Sequence, residues 1–188
     1  MNILIEGLPC FIRIDGKDYA INADYQTALK IMNVFEDNSL IAIEKNLLLL
    51  ELLYKDVPDN YEEAIKKGLK FLNCGEEGSE TSGEGGARVY SFKKDAKYIF
   101  SGVDKVLNGR LSKGDLVHWW EFVMAFMELP EDCMMSKIIY YRTQFSKGRL
   151  SKEERKVYFD NRELFELPAE LTKEEEKIYS TFMALLGN

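Results

Sequence analysis

Leu116-Val117-His118-Trp119-Trp120-Glu121-Phe122-Val123-Met124-Ala125-Phe126-Met127-Glu128-Leu129 is the stretch whose reading decides the fold. Wound as a helix, it puts Glu121 and Glu128 on one stripe, with His118 one turn back on the same line. Every other direction is apolar. A helix with a single narrow polar line is normally the buried centre of its domain, so a helix over about 115–129 is expected to be the hub of a mainly helical fold. Ser112-Lys113-Gly114-Asp115 resembles a capping box and is expected to open it.

Within this helix the imidazole of His118 is expected to hydrogen-bond Glu121 at the core edge, because buried polar groups are almost always paired. Trp119 and Trp120 point about 100° apart around a helix axis. Core packing is the default for the pair; the alternative is that one lines a groove for a partner, since Trp is enriched at binding hot spots. His118 is the sole histidine, and Cys10, Cys74 and Cys133 show no CxxC or HxxxH spacing, so no metal and no cofactor are expected. Cys133 with His118 as base would be the one nucleophilic pair to consider, but nothing in the pattern supplies the third, orienting group. No GxSxG, P-loop or GxGxxG occurs. The chain is not expected to be an enzyme.

Upstream of the hub, Phe92, Ala96, Ile99, Phe100, Val103 and Leu107 predict a helix capped by Ser91 and ended by Asn108-Gly109. Before it, residues 73–88 are rich in Gly, Ser, Thr and Glu and hold no large apolar group between Gly75 and Gly86. Such a segment does not repay its ordering entropy and reads as a flexible acidic linker, or as a segment that a partner orders. A helix after Pro58 is expected with Asp59 as cap, Glu62 at the matching position, and Tyr61, Ile65, Leu69 and Leu72 facing inward. Another spans about 40–54, and one begins at Asp24 with Tyr25, Ala28, Leu29, Met32 and Phe35 on one face. Farther back, Phe11–Ile14 and Asp18–Asn22 alternate around Asp15-Gly16-Lys17, a hairpin signal because Gly takes positive φ freely. A lone hairpin is marginal in water, so it must lie on helices or pair with another chain.

Downstream, Glu131 to Phe145 predict a helix after Pro130, and Ser151 with Glu154 and Thr172 with Glu175 predict two further capped helices. The chain is thus expected to be mainly α, a helical domain of about eight helices with a small N-terminal β-hairpin. Its parts are a hairpin over 1–23, helices over 24–72, the linker over 73–88 and helices over 89–188, within one domain spanning 1–188.

The 188 residues, 46% hydrophobic and 30% charged, suit one globular domain, and a 12% aromatic content suggests a well-filled core or an aromatic contact surface. The net charge of −7 with scattered basic residues argues against nucleic-acid binding, whose affinity comes from Lys and Arg displacing phosphate counterions. The start lacks a charged, then apolar, signal sequence. The longest apolar run, around Leu47–Leu50, falls far short of the roughly 20 residues a membrane span needs. A cytoplasmic protein with no membrane partner is expected, and three widely spaced cysteines fit a reducing compartment.

Tyr90-Ser91-Phe92-Lys93-Lys94-Asp95-Ala96-Lys97-Tyr98-Ile99-Phe100, then the His118-Trp119-Trp120-Glu121-Phe122 signature, then Ile138-Ile139-Tyr140-Tyr141-Arg142 follow in an order that resembles the bacteriophage gene-product-fifteen family of siphophages and prophages. The likeness spans nearly the whole chain, including Leu8-Pro9, the hairpin ending Ile21-Asn22, and Phe71-Leu72-Asn73-Cys74-Gly75. It departs at Val106–Leu111, where the family pattern is more aromatic. The resemblance implies a tail-assembly chaperone that binds the tape-measure protein before tail-tube subunits polymerise, with the tail-tube protein as a second candidate partner. A structural tail component retained in the virion is the alternative. Candidate partner-binding residues are Trp119, Trp120, Phe122, Tyr90, Phe92, Tyr98, Tyr141 and Arg142. Met124, Met127, Met134 and Met135 would give adaptable apolar surface or plain core. Several copies along one extended client would imply a homo-oligomer.

Overall fold

A computed structural model describes residues 2–37, 39–76 and 89–167. Within them the protein is mainly α, with nine helices and one two-stranded antiparallel hairpin. The chain opens with a short helix that the sequence reading missed, α1 (Ile3–Glu6), nucleated by Asn2. The Asn2 side chain accepts from the amide of Leu4, and the Asn2 amide donates to Glu6 at 2.8 Å. Two otherwise orphaned N–H groups are thereby satisfied.

Strands β1 (Phe11–Ile14) and β2 (Lys17–Ala20) pair with Ile14 opposite Lys17. Asp15 and Gly16 between them both have positive φ, 48° and 80°, the type I′ geometry whose twist matches the strands. The hairpin rests on a helix as expected. Ile12 and Ile14 point inward, Asn60 donates to Asp15 at 3.0 Å, and the Lys67 ammonium donates to the carbonyl of Arg13.

Helix α2 (Tyr25–Glu36) starts at Asp24, whose carboxylate accepts from the Thr27 amide at 2.8 Å. It packs on α3 (Ala42–Leu53), and α3 packs on α4 (Tyr61–Leu72). Two details of α4 differ from expectation. Its cap is Asn60, whose side chain accepts from the Glu63 amide, and not Asp59. Its buried face is Ala64, Gly68, Phe71 and Leu72, leaving Tyr61 and Leu69 on the exposed side. The physical reason is close approach. The Gly68 Cα sits so near α3 that an added Cβ would meet the methyls of Leu49 and Leu53 at 3.0 Å, so small residues must form the contact. Ile31, outside the face expected for α2, is also fully buried.

Helix α5 (Ala96–Val106) begins later than Ser91 suggested. Ser91 instead closes a preceding turn, its hydroxyl accepting from the Lys94 amide and its own amide donating to Asp95 at 2.9 Å. Asn108 and Gly109 end α5 in left-handed conformations, as expected. The hub, α6 (Trp119–Met127), is shorter than the predicted 115–129. Ser112 does not open it: its hydroxyl donates back to the carbonyl of Gly109, and Gly114 turns the chain with φ 76°. Residues 117–119 run alongside the entry to α2 instead. The Tyr25 amide donates to Val117 at 3.0 Å and the Trp119 amide to Ala23 at 2.7 Å.

Helix α7 (Met134–Ser146) starts at Cys133, and α8 (Lys152–Asp160) has the Ser151–Glu154 capping box. Helix α9 (Arg162–Phe165) follows at once. The pair Thr172 and Glu175, and most of the 73–88 linker, lie outside the described residues. Helix α6 joins the two halves, packing on α2 and on α5. Helix α5 packs on α7, and α7 carries α8 and α9. Among the described residues no helix is long and apolar enough to cross a membrane.

Candidate functional site

His118 is the N-cap of α6. Its Nδ1 accepts the Trp120 amide proton at 3.0 Å, and its Nε2 lies 3.0 Å from the carbonyl oxygen of Pro9. Accepting at Nδ1 and facing a carbonyl at Nε2 requires the neutral tautomer with the proton on Nε2. The imidazole thus clamps the segment before the hairpin to the start of the hub. Glu121, the partner expected from its spacing, pairs with Arg110 instead, because His118 lies just outside the helix and does not share its register. Among the described residues no group of three or more His, Cys, Asp or Glu side chains is placed to hold a metal ion.

The two indoles perform one job together. Trp119 Nε1 donates to the carbonyl of Leu72 at 2.9 Å, and Trp120 Nε1 donates to that of Phe71 at 2.7 Å. These are among the last carbonyls of α4, which have no partner within their own helix. Adjacent side chains on α6 therefore match adjacent carbonyls on α4, each pair fanning out by about 100°. Both rings are buried, with Trp120 packed against Phe71 and against Gly75. An added Cβ at Gly75 would come within 3.0 Å of the Trp120 ring, and the residue has φ 88°, so glycine is required there on two counts.

One edge of Trp120 forms part of an open groove of about 1080 Å³ between α1, β1 and the end of α4. Phe71, Ile12 and Trp120 line it from the core, and Ile3, Leu4 and Phe11 line it from the rim. The rim is apolar yet wet: Leu4 is 92% exposed and Phe11 60%. Arg13, Lys67 and Lys70 lie along it, and among the described residues Glu76 is the one carboxylate of the lining. A second, smaller cavity of about 570 Å³ lies between the start of α5 and the α8–α9 junction, lined mostly by polar and charged side chains.

Cys74 also lines the groove, and burial first, with Glu76 second, pushes its thiol up to about 11 from an ordinary 9.0. At pH 8 roughly one part in a thousand is thiolate, the reactive form. Alkylation followed by mass spectrometry at pH 8 is expected to modify exposed Cys10 at least about tenfold faster than Cys74. Because the folded state retains a proton that the unfolded chain releases, Cys74 stabilises the fold below pH 9, and that contribution is lost as pH climbs through about 11.

The eight candidate partner-binding residues lie mostly inside the protein. Trp119 and Phe122 stack at 5.8 Å in the core, and Tyr25 stacks on Phe122 at 5.0 Å. Tyr90 and Phe92 meet edge to face at 5.4 Å and both contact Phe126. Tyr98 borders the smaller cavity, and Tyr141 packs on Phe165 at 4.6 Å. Arg142 is buried against Asp95. Only Trp120 reaches the groove. The rim residues Ile3, Leu4 and Phe11 were not singled out in the sequence, although Asn2 followed by Glu6 was a signal for a capped turn. Of the four methionines, Met135 is buried, whereas Met124, Met127 and Met134 are exposed.

A profile of the family described as Bacteriophage Gp15 protein matches residues 4–167. No curated protein and no solved structure matches the chain.

Proposed function

The chain belongs to the bacteriophage Gp15 protein family, and from that premise we propose that it is a tail-assembly chaperone that binds the tape-measure protein before the tail tube polymerises. The observation that carries this reading is the groove whose apolar rim, Leu4 and Phe11, stands open to solvent beside a rigid floor of Phe71 and Trp120. Large side chains left exposed around a concave surface mark a place where another chain docks. A tape measure is a long helical polypeptide with apolar faces, and an amphipathic helix laid in a groove is the standard way to cover such a face. The tail-tube protein is a second candidate partner, and binding along an extended client would bring several copies side by side.

The same reading makes the chain a binding protein with no reaction of its own. Both ring nitrogens of its sole histidine face backbone groups, so the imidazole has no free nitrogen for proton transfer. Co-expression with the very long reading frame expected downstream tests the proposal. The tape-measure product should move from the pellet to the soluble fraction with this chain bound, and purified phage particles should lack its peptides by mass spectrometry. An unchanged pellet, or stoichiometric peptides in the particle, would contradict it; the latter would favour a retained virion component.

A further inference from the structure

We infer that, before a client binds, two copies of the chain pair about a two-fold axis, each setting Leu4 and Ile5 of α1 into the groove of the other. The pairing stands on the surface around α1; only its displacement by a client rests on the reading above. No residue of α1 is buried, and Leu4 and Ile5 are 92% and 81% exposed. Four residues are too few to hold a helix by their own hydrogen bonds, and helices in proteins persist mainly by packing an apolar face. The side-chain bonds of α1 are polar and local, from the Asn2 cap and from the Asn2 amide to Glu6. Its link to β1 runs through Gly7 at φ 74°, where an added Cβ would meet nothing within 4 Å, so that end of α1 stands clear of the body.

Ile3, Leu4, Ile5 and Phe11 leave roughly 500 Å² in water, near the top of the about 300–600 Å² that the largest apolar patch on a monomer usually reaches. Two such patches brought together remove about 1,000 Å², the least that a specific interface needs, and the groove walls add to it. A two-fold pair requires one surface to be complementary to itself. This surface meets that requirement: the apolar knob of Leu4 and Ile5 projects beside an apolar hollow floored by Phe71 and Trp120. Half a turn about an axis between knob and hollow places each knob over the other copy's hollow. An interface at this lower size limit is transient, which suits a surface that a client later takes over. Leu4 and Phe11 serve both the pairing and the groove rim, whereas Ile5 stands outside the lining of its own groove.

Sedimentation equilibrium of the full chain from about 1 to about 100 μM, the affinity range of small interfaces, tests the pairing. The chain should pass from monomer to dimer and stop there, because an isologous contact closes on itself. Ile5→Ser should raise the dissociation constant at least about tenfold, since each dimer loses two buried side chains. It should leave the melting temperature of the monomer unchanged, because the position is exposed. Hydrogen exchange at high concentration should slow at the amides of Ile5 and Glu6 and along Phe11–Ile14, where the second copy covers the chain.

A chain that stays monomeric throughout this range overturns the inference. So does a dimer that Ile5→Ser leaves intact, or one whose slowed amides lie in other elements. The Ile5→Ser chain should still bring down the tape-measure product, since its groove lining is unaltered. Loss of that product together with the dimer would make the dimer the binding form and overturn displacement. Pairing as expected beside an insoluble tape measure would sink the chaperone role and keep the dimer; a strict monomer that solubilises the tape measure would do the reverse.

Discussion

Replacing Arg142 by alanine is expected to cost about 3–5 kcal/mol of folding stability, the usual penalty for leaving one charge of a buried pair alone. The guanidinium donates bidentately to Asp95, at 2.6 and 2.9 Å, with the two side chains 4% and 1% exposed. Its remaining donors reach the carbonyls of Phe165 at 2.6 Å, Val89 at 3.1 Å and Leu164 at 3.1 Å. One side chain on α7 therefore ties together the start of α5, the segment entering it, and α9. Alanine would leave the buried Asp95 carboxylate without its countercharge, with the Ser91 amide still donating to it, and would take a donor from three carbonyls. Since a domain's whole stability is about 5–15 kcal/mol, the melting temperature should fall by about 10 °C or more. Arg142→Lys keeps the charge but not the planar fork, and should also be clearly destabilised. A melting curve within a degree or two of the unmodified chain would show that Arg142 is not the staple described.

Trp119→Ala should be nearly as damaging, at about 3–5 kcal/mol for emptying a large aromatic site in a packed core. The ring stacks on Phe122, meets Phe92 edge-on at 6.3 Å, and donates to Leu72. Trp119→Phe separates the contributions. It keeps most of the packing but leaves the Leu72 carbonyl without its donor, which should cost about 1–3 kcal/mol. Urea unfolding of the two variants measures both, and a Trp119→Phe chain as stable as the unmodified one would mean that the hydrogen bond contributes nothing beyond the ring.

The parts of the fold written in local sequence were readable from it. Asp15-Gly16 marks a turn that only residues tolerant of positive φ make, and Asp24 and Ser151 mark helix starts through bonds that close within three residues. What was hidden depends on distant partners. Nothing near Ser112 reveals that residues 117–119 will hydrogen-bond to Ala23 and Tyr25, and that pairing moves the start of α6 to Trp119. The inward face of α4 was misread because large apolar residues suggested a stripe through Tyr61 and Leu69, whereas contact with α3 required Ala64 and Gly68.

The candidate site was legible only in part. Trp119 and Trp120 stood out as the residues around which the protein is organised, and both are buried there. Their pairing with the end of α4, and the groove along Trp120, follow from side chains drawn from α1, β1 and α4, which no spacing in the sequence relates. Arg142, singled out with the aromatic signature, is held in the interior by Asp95 and three carbonyls.

The most direct test combines Leu4→Ser and Phe11→Ser, two changes at exposed positions on the groove rim. The doubly substituted chain, co-expressed with the tape-measure product and affinity-purified, should fold with an unaltered melting temperature and fail to bring that product down, while the unmodified chain retains it. Undiminished co-purification by the altered chain would contradict the account, because it would place client binding somewhere other than this groove.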